Sequence, residues 1–200
     1  MAEAAQHTPR PTLLGWFIRD ASITVIAAGL LWGMAMWHAA AGSWLSALVC
    51  APIAFILAYA LCYIYHEWGH LLGALGSGGS MRTSPYKGIL IGTFNIADHT
   101  TRQFLALSWG GVLGYLSVAS IAVTLYFTQS LGLVGAAFAI GGLAFVVQSL
   151  SVDLPQIVKV SMGAEPQATN AAGASGQVIL RRTWQSWTLL TLVLLAWNML

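Results

Sequence analysis

His66-Glu67-Trp68-Gly69-His70 places two imidazoles and one carboxylate within a single short stretch. On a helix, His66 and His70 lie one turn apart on one face, so both rings can bind one Zn²⁺. Glu67 is displaced by about 100° around the axis. It then sits beside the metal, where it can take a proton from water bound there. Metalloproteases use this pattern. The setting sharpens the reading, because nearly every other residue over 45–75 is apolar or small. Ionisable groups are costly inside a bilayer and are read there as functional.

Such groups need a membrane-spanning scaffold. The chain has 200 residues, 58% hydrophobic and 7% charged. That composition belongs to an all-α polytopic membrane protein in a lipid bilayer, here a single domain over 1–200. A net charge of +2 offers no basic patch for nucleic acid. Cys50 and Cys62 fall on one predicted helix about 18 Å apart, too far for a disulfide. Five spans are expected, over 21–41, 45–75, 103–128, 131–152 and 183–200. Trp184, Trp187 and Trp197 suit interfacial anchoring of the last. Ala39-Ala40-Ala41 resembles a signal-peptidase site. The apolar run before it is longer than a usual signal core, so an uncleaved span is expected.

The basic residues orient the spans. Arg10 and Arg19 precede the first, and Arg82, Lys87 and Arg102 lie between the second and third. Lys159, Arg181 and Arg182 lie between the fourth and fifth. Five alternating crossings put all eight on one side, which the positive-inside rule makes cytoplasmic. The amino-terminal segment 1–20 is then cytoplasmic and the carboxyl terminus outside; in a bacterium the membrane would be the inner one. His70 comes about 9 Å from the cytoplasmic exit of its span, and His66 about 15 Å. Tyr59, Tyr63, His66 and His70 form a polar stripe that should face the bundle interior or a water-filled cavity.

The cytoplasmic loop 77–101 begins with a flexible Gly78-Gly79-Ser80 link. Residues 86–96 are rich in Ile, Tyr, Phe and Thr, which suggests short extended segments and a hairpin. An edge strand there would pair with an extended peptide; an ordinary connecting loop is the alternative. Gly110, Gly111 and Gly114 mark a close helix approach in the third span. Segment 163–176 reads as a flexible cytoplasmic linker.

A catalytic zinc usually takes three protein ligands and a water. Asp153, at the cytoplasmic end of the fourth span, is at the depth of His70. Asp98 and His99 compete with it, since their loop could fold back.

Taken together, the chain resembles the site-2 protease family of intramembrane zinc metalloproteases. His66 to His70, the glycine-rich stretch 109–115 and Asp153 come in that family's order. The resemblance implies Zn²⁺ held by His66, His70 and Asp153, with Glu67 activating water. It implies a membrane protein substrate, cut in or near its transmembrane segment, in some cases to release a membrane-tethered regulator. The unwound substrate would lie beside the β-like segment, making Tyr86, Ile89, Ile91, Phe94 and Asn95 candidate contacts. Where the family has proline and asparagine in its glycine-rich motif, this chain has Gly111 and Gly114. Gln148 or Asn95 is the expected substitute for that asparagine. Leu154 follows the aspartate where the family has glycine. Two other readings stand beside this one. The first is a non-catalytic, zinc-bearing membrane protein that binds a client helix. The second is a metal transporter, for which His38 is the one ionisable group near the outer side.

Overall fold

The computed structural model describes residues 12–83 and 91–173, together with Arg181, Trp184 and Gln185. Four of its helices are long and apolar enough to cross a membrane: α1 (Leu13–Ala41), α2 (Trp44–Gly76), α3 (Thr101–Phe127) and α4 (Gly132–Ser161). The expected fifth span lies outside the described residues, apart from Trp184 and Gln185.

Local chemistry sets the helix starts. Thr12 caps α1 by accepting from the Gly15 N–H, and Ser43 caps α2 by accepting from that of Ser46. Thr100 and Gln103 form a reciprocal capping box at α3. Two boundaries differ from the sequence expectation. α1 begins at Leu13 rather than 21, because Trp16 and Asp20 are buried and extend its packed face past the hydrophobic run. α4 runs through Pro155 to Ser161, so Asp153 sits inside the helix rather than at its end. Proline removes one backbone donor there. Ile157 and Val160, both almost wholly buried, hold the last turns against the bundle.

α2, α3 and α4 form the core, and α1 packs alongside through Ala27 and Leu31. The α2–α3 contact is made by backbone. A Cβ on Gly69 would meet the Gly110 carbonyl at 2.1 Å, and one on Gly114 would meet that of Tyr65 at 2.1 Å. Gly73 is equally close to the Ala106 carbonyl, at 2.2 Å. Small residues on both helices are what permit this approach.

Between α2 and α3 the chain forms a hairpin. β1 (Arg82–Thr83) pairs antiparallel with β2 (Gly92–Thr93), Arg82 opposite Thr93 and Thr83 opposite Gly92. The second strand falls in the expected segment 86–96; the first lies upstream of it. Tyr86 and Ile89 are outside the described residues. A short 3₁₀ turn, Ile96–Asp98, leads into α3. The expected flexible linker 163–176 is helical over most of its length, as α5 (Pro166–Gly173). Proline at its first position is already set for a helix, and α5 packs on α4 and the 3₁₀ turn.

Candidate metal centre

His66 and His70 point their Nε2 atoms at each other, 3.0 Å apart. The His70 Nδ1 lies 2.9 Å from the Leu107 carbonyl of α3. A carbonyl only accepts, so Nδ1 carries the proton and the His70 Nε2 lone pair faces His66. This carbonyl anchor is the outer-shell arrangement that orients metal-ligating histidines. Two nitrogens on one tetrahedral zinc, at about 2.0–2.1 Å each, stand about 3.3 Å apart. The observed separation fits such a pair.

Gly111 makes room for this. A Cβ there would sit 2.4 Å from His70 Cε1, so the imidazole occupies the place of the missing side chain. The glycine at this position is therefore a condition of the His70 orientation.

Glu67 is buried beside the pair. The Tyr63 hydroxyl and the Ile91 backbone N–H lie near its carboxylate. Ile91 is buried between Trp16 of α1 and Leu71 of α2, which holds the hairpin over the motif. A candidate for substrate contact by sequence, Ile91 instead uses its side chain to pack and its backbone to face Glu67.

Asp153 and His70 line one cleft of about 150 Å³, with Ser108, Gln156 and Asn170. One carboxylate oxygen of Asp153, Oδ2, is buried with no hydrogen-bond partner. Such an oxygen fits a ligand in kind and in neighbourhood. Among the described residues, however, no three His, Cys, Asp or Glu side chains come close enough to share an ion. The histidine pair is formed and the third ligand is not closed onto it.

The competing ligands are engaged elsewhere. The His99 Nδ1 donates to the Asn95 carbonyl at 2.6 Å, and its Nε2 accepts from the Ser80 N–H at 2.9 Å. Asp98 accepts from the Asn95 side chain at 2.6 Å. Phe94 stacks on His99. Phe94 and Asn95 thus belong to a surface cluster that braces the start of α3. Gln148 accepts from the Tyr59 hydroxyl, one step up the polar stripe from the motif.

Three participants were not singled out by sequence. Asp20, expected in the cytoplasmic segment, is 2% exposed on α1 and accepts from the Trp68 indole N–H at 2.8 Å. Its burial alone in a polar-looking stretch gave no signal. Asn170 reaches the cleft because its segment folds as α5. Tyr115 packs its ring on His66, with centroids 5.6 Å apart. Its position just after Gly114 was the available hint. No family profile, curated protein or solved structure matches this chain.

Proposed function

We propose that this protein is an intramembrane zinc metalloprotease that hydrolyses peptide bonds in or near the transmembrane segments of other membrane proteins. The observation that carries the reading is the histidine pair. Two Nε2 atoms converge at 3.0 Å, one ring is anchored to the Leu107 carbonyl, and Glu67 adjoins them, all on a helix apolar enough to span a bilayer. His66 and His70 would hold the zinc, with Asp153 as the third ligand. When bound, zinc supplies Lewis acidity toward the scissile carbonyl.

The chain's own groups carry the proton transfers. Glu67 takes a proton from the attacking water at its carboxylate and delivers it to the leaving amine. The Tyr63 hydroxyl and Ile91 N–H, near that carboxylate, are placed to orient it. The cleft lined by Ser108, Gln156 and Asn170 gives water a polar route to His70. An apolar groove of about 340 Å³, lined by Leu31, Leu61, Val118 and Phe138, suits a hydrophobic client. The motif-bearing end of the bundle is assigned to the cytoplasm by its basic residues.

The test pairs the native chain with Glu67→Gln in liposomes carrying a single-span client. Glutamine keeps the size of glutamate but cannot accept the proton. Equal zinc content and a loss of cleavage of about 10²–10⁴-fold are expected. Equal cleavage by both would remove Glu67 as the base. No cleavage by the native chain, with client retention unchanged by the substitution, would establish the binding role instead.

A further inference from the structure

Tyr59, Tyr63 and Tyr115 lie around the motif. The Tyr59 hydroxyl donates to Gln148, and that of Tyr63 lies near the Glu67 carboxylate. Tyr115 differs. It is wholly buried, and its hydroxyl has no hydrogen-bond partner. Burying a hydroxyl unpaired costs free energy that a phenylalanine at the same place would not incur. Packing therefore accounts for the ring and leaves the oxygen unexplained.

Its position gives the oxygen a use. α3 meets α2 backbone to backbone at Gly114, whose missing Cβ would touch the Tyr65 carbonyl and lie 3.2 Å from the Cα of His66. The next residue, Tyr115, is thereby brought against the His66 ring, at a tilt of 37°, and Phe145 packs on both rings, 5.7 Å from Tyr115 and 6.0 Å from His66. The phenol is a donor held dry on a ring packed against His66 of the histidine pair. Donors fixed in advance where negative charge develops are the strongest single source of catalysis in acyl transfer.

We infer that Tyr115 is a catalytic residue whose hydroxyl donates to the scissile carbonyl oxygen as that oxygen gains charge in the tetrahedral state. The inference rests on the proteolytic reading above. The hydrogen bond forms without proton transfer: water adds to the carbonyl carbon, its proton goes to Glu67, and the phenol keeps its own.

The experiment compares native chain, Tyr115→Phe and Tyr126→Phe in liposomes with a single-span client. Tyr126 is on the same helix as Tyr115 and is exposed, so it reports on loss of a tyrosine hydroxyl as such. For Tyr115→Phe, kcat should fall about 10²–10³-fold, with KM within a few-fold, zinc content unchanged and thermal midpoint unchanged or raised. Affinity for a phosphinate peptide, whose tetrahedral oxygens mimic the charged state, should fall in step with kcat/KM. Tyr126→Phe should match the native chain in all five measurements. An unchanged kcat for Tyr115→Phe overturns the inference while leaving the protease reading intact. So does a loss of zinc, which would make Tyr115 a support for Asp153. A native chain that cleaves nothing overturns both.

Discussion

Trp68, in the middle of the histidine motif, donates its indole N–H to Asp20 of α1 at 2.8 Å. Arg19 pairs with the same carboxylate at 2.6 Å and lies over the Trp16 ring. The amino-terminal helix is thus fastened to the motif by a charged hydrogen bond as well as by apolar packing. Asp20→Ala should destabilise the protein by about 1–3 kcal/mol, because it leaves a buried donor unmet. Asp20→Asn retains an acceptor and should lose less. Thermal unfolding in detergent measures both, and equal losses would show that the Trp68 bond contributes nothing.

Zinc binding is expected at about one ion per chain. His66→Ala and His70→Ala each remove a ligand and should abolish it. Asp153→Ala should lower occupancy, whereas Asp98→Ala and His99→Ala should not, since those two side chains are bonded to Asn95 and Ser80. Elemental analysis of the purified variants decides this. Metal lost from Asp98→Ala but kept in Asp153→Ala would reassign the third ligand.

The glycine contacts make a graded series. Gly69→Ala would drive a methyl to 2.1 Å from the Gly110 carbonyl, so α2 and α3 must separate. Gly111→Ala would displace the His70 ring, and zinc affinity should fall even where the fold survives. Gly29→Ala and Gly33→Ala meet nothing within 4 Å and should be neutral or slightly stabilising. Melting curves with zinc titration separate the three behaviours; a neutral Gly69→Ala would contradict the backbone contact.

Sidedness is open to chemical labelling. Cys50 and Cys62 are both wholly buried and are replaced first. A cysteine at Ser80 should then react from one face of the membrane and one at Ser130 from the other. Reaction of both from the same face would break the alternating topology and the assignment of the motif to the cytoplasmic half.

The spans were legible because hydropathy reports burial in lipid directly, and α2 and α3 fall within two residues of expectation. Their ends were less so. The Thr12 cap is a local sign for the start of α1 that hydropathy outweighs, and nothing local carries α4 past Pro155; Trp16, Ile157 and Val160 extend the two helices by burial against other helices. The histidine pair could be read from spacing because one helix carries both rings. The anchor of His70 is a backbone carbonyl of Leu107, which any sequence offers at every position. Asp20 and Tyr115 reach the site only through how α1 and α3 pack on α2, which pattern alone does not encode.

The backbone contact of Gly69 with Gly110 bears on how the protein is made. The motif leaves the ribosome on α2, but the carbonyl that orients His70 and the glycine that accommodates its ring belong to α3, and Asp153 belongs to α4. An intermediate holding only two helices in the membrane has its histidines without their geometry. On the proposed reading, competence to capture metal would arise late in biogenesis, once α3 and α4 have been inserted and docked.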